Sequence, residues 1–222
     1  MPNFTHTHSV FLILLKQPSG IWKTSLLTKI LLNHEDVFGF KVSEIHIYYR
    51  EPQSSYLEII SNSTIPVYLH REQPSCDTTH PQNSIVIFDD FQGDRCATQI
   101  INSYFLKSIH HQDLGAGIVL LQNLYDKDTS IRSINLNASL LLVFNNIRDS
   151  TVVNNLSRQI YPNSKNALSK VLTDITKHDS RGYIAINLHP GEKSNPIKHR
   201  LRNSVFYSTD KFPLSAIYTA PG

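Results

Sequence analysis

The sequence predicts an α/β fold in which a mostly parallel β-sheet carries helices on both faces. Three observations point to it. Val10-Phe-Leu-Ile-Leu-Leu15 and Gly117-Ile-Val-Leu-Leu121 are continuous apolar runs, the pattern of strands buried on both sides. Between such runs lie segments with apolar residues at helical spacing, as in Leu26, Leu27, Ile30 and Leu31. Strand and helix signals alternate along the chain, which favours parallel strands joined by crossover helices.

In chain order, periodicity and turn residues predict strands over 10–15, 44–49, 65–69, 84–88, 117–121, 139–144, 182–188 and 200–207. Helices are predicted over 23–33, 53–60, 93–109, 149–160 and 164–177. Thr64 to Gln82 is rich in Pro, Ser and Thr and reads as loop with one short strand. Residues 208–222 lack periodicity, so the expected organisation is one domain over 1–207 and a C-terminal tail over 208–222. No internal repeat or heptad run is visible.

Composition agrees with this. A chain of 222 residues with 40% apolar content can bury a sizeable core as one domain. Its apolar runs are too short to span a bilayer, and the N-terminus lacks the basic region and cleavage site of a signal peptide. The expectation is a soluble intracellular protein with no membrane contact. Cys76 and Cys96 form no C-x-x-C, and His6/His8 and His110/His111 lack partners at ligand spacing. His110 and His111 fall in the loop expected before a core strand. A net charge of +3 permits contact with DNA without arguing for it. The densest basic segment holds Lys198, Arg200 and Arg202, which share one face if it is a strand. That face reads either as solvated or as a stripe lining a pore.

The segment that carries chemistry is Gln17-Pro-Ser-Gly-Ile-Trp-Lys-Thr24, between the first apolar run and the first helix. The phosphate-binding loop pattern G-x-x-x-x-G-K-[ST] occupies this place in a phosphate-loop NTPase. Lys23 and Thr24 fill its last two positions, Gly20 lies inside it, and Gln17 and Trp22 stand where the pattern has glycine. Such a loop holds phosphate on backbone N–H groups at a helix N-terminus. Trp22 puts a large side chain where that approach is closest.

Ser84-Ile-Val-Ile-Phe-Asp-Asp-Phe91 is an apolar strand ending in two carboxylates. Asp89 reads as the acid on the Mg²⁺ side and Asp90 as the general base acting on water. Gln122, at the tip of the 117–121 run, can hold the attacking water or the γ-phosphate. Arg132, Arg148 and Arg158 are each a choice between a surface ion pair and an arginine finger for a neighbouring subunit.

From His110 onward, His-His-Gln-Asp-Leu-Gly-Ala-Gly-Ile-Val-Leu-Leu-Gln-Asn-Leu-Tyr125 resembles the viral genome-packaging ATPases of the FtsK–HerA type. The likeness is greatest to those of Polinton-like and adintovirus-like elements, with the poxvirus packaging ATPase more distant. Arg132-Ser-Ile-Asn-Leu-Asn137, Phe144-Asn-Asn-Ile-Arg-Asp149 and Leu156-Ser-Arg-Gln-Ile-Tyr-Pro162 match the same pattern, which continues to Phe206. The family has glycine at the places of Gln17 and Trp22.

The resemblance implies a RecA/ASCE-like phosphate-loop NTPase using ATP and Mg²⁺. Its partners would be double-stranded DNA and capsid or portal-type proteins, its form a homo-oligomeric ring, and its compartment the host nucleus or cytoplasm. Two readings follow. One is a working DNA-translocating ATPase with Lys23 on the phosphates, Thr24 and Asp89 on Mg²⁺, Asp90 and Gln122 on the water, and an Arg finger. The other is a repurposed copy that keeps the fold for binding or assembly without turnover. Gln17 and Trp22 separate them.

Overall fold

The computed structural model describes residues 10–15, 21–38, 40–75, 77–111, 115–144, 150–160, 162, 165–178, 183–187, 205–207 and 216–218. Within them the chain opens with β1 (Val10–Leu15), α1 (Ile21–Leu32), α2 (His34–Val37), β2 (Ile45–Tyr49) and α3 (Ser54–Asn62). Then come β3 (Val67–His70), β4 (Ile85–Asp89), α4 (Arg95–His111), β5 (Ala116–Leu121), α5 (Thr129–Asn137) and β6 (Leu140–Phe144). A helical pair, α6 (Thr151–Ile160) and α7 (Ala167–His178), leads to β7 (Tyr183–Asn187), β8 (Val205–Tyr207) and β9 (Ala216–Tyr218).

The sheet order is β3-β2-β4-β5-β1-β6-β7-β8-β9. All pairings from β3 to β6 are parallel. Those from β6 to β9 are antiparallel. The protein is therefore α/β, with a parallel sheet flanked by helices, as the continuous apolar runs require. Every residue of β2, β4 and β5 is buried.

Because side chains alternate along a strand, β4 feeds two separate cores. Ile85 and Ile87 pack with Leu27, Ile30, Leu31 and Ile59 on the α1/α3 side. Val86 and Phe88 pack with Ile101, Phe105 and Ile131 on the α4/α5 side. The predicted apolar stripe of α1 is buried as expected.

The expected strands and helices are present with small shifts at their ends, and four features differ. α5 falls in a stretch expected to be irregular, because Thr, Ser and Asn dilute its helical signal. It forms nonetheless: Asp128 caps it by accepting from Ser130 N at 2.8 Å, and Ile131 and Ile134 bury one face. The short α2 was not expected. β9 adds a strand where the sequence reads as tail, paired with β8 at the end of the sheet, which local periodicity does not report. His110 and His111 belong to the last turn of α4 rather than to a loop. Residues 200–204 of the expected strand, the basic positions Lys198, Arg200 and Arg202, and Cys76, His6 and His8 lie outside the described residues.

Close approach of α4 to β5 depends on one glycine. A Cβ on Gly117 would fall 2.0 Å from Phe105 Cε1, and Phe105 is itself buried against Phe88. Gly117→Ala is expected to destabilise the fold by about 1–3 kcal/mol, the usual cost of overpacking a full core. Chemical denaturation measures this, and adding Phe105→Leu should recover part of the loss. Unchanged stability in the single variant would refute the close contact.

Candidate functional site

The parallel strands end together along one edge of the sheet, and the polar residues collect there. β1 lies directly beside β5, with Leu15 paired to Leu121, so the chain leaves β1 level with Gln122. β5 in turn separates β1 from β4, whose last residue is Asp89. The path from β1 runs towards β2 through α1 on one face, and that from β5 runs to β6 through α5 on the other. Such a reversal leaves a crevice at the carboxyl ends of the strands, the usual ligand position in open α/β sheets.

Asp89 is 1% exposed. A buried carboxylate needs donors, and α3 provides them. Its Oδ2 accepts from Tyr56 OH at 2.5 Å and from Gln53 Nε2 at 2.6 Å. Burial, then the adjacent Asp89, push the Tyr56 hydroxyl far above its ordinary pKa, so it remains a proton donor. The acid expected on the metal side is therefore oriented by two residues that sequence reading did not single out. Gln53 and Tyr56 sit one helical turn apart at the start of α3, but only the β2–β4 pairing brings that helix to Asp89.

Asp90 diverges from its neighbour. Its φ of 67° puts it in the left-handed region, which Asp tolerates better than most residues. It is partly exposed, and its Oδ1 accepts from Gln122 Nε2 at 3.0 Å. Two sequence-predicted site residues, from adjacent strands, are thus in direct contact.

Gln92 holds the surrounding loops. Its Oε1 accepts from the backbone N of Gln122 at 2.6 Å and of Asn123 at 3.0 Å. Its Nε2 donates to Asn123 O at 2.9 Å and to Asp126 Oδ2 at 2.8 Å. That bond, followed by the Asp128 backbone N–H, holds the Asp126 carboxyl below its ordinary pKa. On the β2 side, Arg50 pairs with Asp94, which caps α4 through Ala97 N at 3.0 Å. The Arg50 guanidinium also lies over the Phe91 ring, 4.9 Å from its centroid.

Lys23 and Thr24 fall in the first turn of α1, the element that follows β1 in chain order. Gln17 and Gly20 lie outside the described residues, as does Arg148. Arg132 is exposed in the first turn of α5, and Arg158 is exposed near the end of α6. Neither belongs to an ion pair among the described residues. Arg158 adjoins Gln159, whose Oε1 accepts from Tyr125 OH in the loop after β5 at 3.1 Å. The structure thus joins Asp90 to Gln122, beside Asp89 at the end of β4.

Among the described residues, no group of three or more His, Cys, Asp or Glu side chains is arranged to hold a metal ion. Nor is any helix among them long and apolar enough to cross a membrane. The chain matches no model of a known protein family, and a search of curated proteins gives no match.

Tyr56→Phe removes one donor from Asp89 without changing ring volume. It is expected to destabilise the protein by about 1–3 kcal/mol, the cost of leaving a buried polar group short of a partner. Urea denaturation near neutral pH measures it. The same substitution in an Asp89→Asn background should cost less, and equal costs in both backgrounds would exclude the coupling.

Proposed function

We propose that this chain is a phosphate-loop NTPase of the RecA/ASCE-like kind and of genome-packaging FtsK–HerA type. In this reading ATP hydrolysis by a homo-oligomeric ring drives double-stranded DNA into a capsid, with capsid or portal-type proteins as further partners. The observation that carries it is the meeting of Asp89, Asp90 and Gln122 at the carboxyl edge of two adjacent strands, beside the strand that leads into Lys23 and Thr24.

The donor set suits Mg²⁺ held together with substrate phosphates. Mg²⁺ commonly takes one or two carboxylates and keeps several waters, so one firmly oriented acid is a fitting protein contribution. Asp89 is such an acid, fixed by Tyr56 and Gln53. Thr24 and Asp89 would hold the ion, which when bound neutralises charge on the phosphates.

Lys23 would pair with phosphate oxygens at the head of α1. Asp90, more exposed than Asp89 and turned towards Gln122, would accept the proton of the attacking water. Gln122 would hold that water by its amide. Arg132, Arg148 or Arg158 would act on the nucleotide of a neighbouring subunit, stabilising charge that grows in the transition state.

A second reading rests on Gln17 and Trp22: a repurposed module that keeps the fold for binding or assembly and has lost turnover. The two differ in a direct measurement. Mg²⁺-ATP at about one hundred times its dissociation constant should stabilise a binding-competent fold by about 2.7 kcal/mol, seen as a rise in Tm.

Crowding by Trp22 should make ATP binding by the native chain weak or absent. Replacing Gln17 and Trp22 together by Gly is expected to tighten binding at least about tenfold, equivalent to about 1.4 kcal/mol. Micromolar affinity in the native protein, measured by calorimetry, would defeat the crowding argument.

In that repaired background the two acids should separate. Asp90→Asn should lower turnover with little change in binding, since it acts on the water, whereas Asp89→Asn should weaken Mg²⁺-nucleotide binding itself. Identical behaviour of the two variants would end this division of roles.

A further inference from the structure

β3 and β4 are parallel strands on either side of β2, so the chain between them must cross the face of β2. Such crossovers usually bury an apolar helix against the sheet. Here the connection, residues 71–84, shows no helix among its described residues and, besides two prolines and Cys76, has only polar residues and charges. Hydrophobic burial can fasten it only weakly. What meets it instead is a cluster of histidines and tyrosines on the α4 side of the sheet.

His80, from the crossover, lies between two phenols. Tyr48 OH of β2 is 3.0 Å from its Nε2, and Tyr104 OH of α4 meets its Nδ1. Its ring stands edge-on to His46, 4.2 Å between centroids. His46 Nε2 donates to Glu44 Oε1 at 2.6 Å, and its Nδ1 lies 3.0 Å from His70 Nε2. Tyr68 stacks on His46, and Tyr48 stacks on His70. The titratable groups facing the cluster are thus Glu44, His46 and Tyr48 of the β2 segment, Tyr68 and His70 of β3, His80 of the crossover and Tyr104 of α4. Arg71, Glu72 and Asp77 of the crossover are exposed.

We propose that this cluster is an acid-sensitive latch: neutral His70 and His80 pin the β3–β4 crossover to the sheet, and their protonation releases it. The contact between His46 and His70 requires a lone pair on one ring, so it survives only while the pair carries at most one added proton. Both nitrogens of His80 are engaged by hydroxyls, which leaves neither for a metal. Charging the ring would place a cation in a half-buried pocket beside two further imidazoles.

Burial, then His46 and His70, pull His80 down from an ordinary pKa of 6.5 to about 4. Burial, then His46, lower His70 as well. The released crossover takes up its proton near 6.5 and the latched one only near 4, so closure is complete above 6.5 and weakens as pH falls through that window. Tyr48, pushed up to about 12 by burial, stays a neutral hydroxyl throughout.

The test is hydrogen exchange on the full chain at two pH values, neutral and near the lower end of the window, corrected for the intrinsic pH dependence of exchange. In the native protein, protection of the Ser75, Thr78 and Ser84 amides should fall at least about tenfold on acidification, while β5 amides keep theirs. In the double variant His70→Gln with His80→Gln, each amide can donate and accept without titrating, so protection should persist. Equal protection of the native crossover at both pH values, or the same loss in the double variant, would overturn the proposal. If the double variant does not fold, NMR titration of the native His80 ring decides. A midpoint well below 6.5 that coincides with shifts in the crossover amides supports the latch, and an ordinary midpoint with a static crossover refutes it.

Discussion

Complete burial of β4 and β5 is the constraint on which the rest of the structure depends. A parallel ladder covered on both faces can place its backbone polar groups only in its own hydrogen bonds, and its side chains must be apolar throughout. Polar chemistry is therefore confined to the strand ends. Asp89 is the one charged residue of β4, and it is the last. Being buried, it needs donors from elsewhere, and α3, returning from the neighbouring β2, is the element within reach.

That need couples parts of the molecule that sequence distance keeps apart. Tyr56 lies in the α1/α3 core with Ile59 and Leu27. Gln92 ties the turn after β4 to the loop after β5. Asp128 both caps α5 and accepts from Thr98 Oγ1 of α4 at 2.6 Å. The carboxyl edge is thus held by side chains from three loops, each anchored to a helix whose apolar face is buried.

The opposite problem arises at the other side of β2. There the crossover has no apolar face to bury, and imidazole and phenol groups take the place of a hydrophobic anchor. One strand, β2, serves both arrangements. Ile45, Ile47 and Tyr49 enter the α1/α3 core, while His46 and Tyr48 turn towards α4 and the crossover.

Much of the framework was legible in the sequence because it rests on local patterns. Continuous apolar runs identified the buried strands, the 3.6-residue spacing identified α1, and the polar residues ending two runs identified Asp89, Asp90 and Gln122. α5 escaped because its cap, Asp128, is weak evidence when few apolar residues follow. β9 escaped because it is a strand by virtue of its partner. Tertiary structure alone decided the strand order, which sets β5 between β1 and β4 and so lets Gln122 reach Asp90. It also decided which helix supports Asp89 and which residues close over β2. Burial pattern is written along the chain, whereas the identity of a buried acid's donors depends on which strands become neighbours, and no local spacing encodes that.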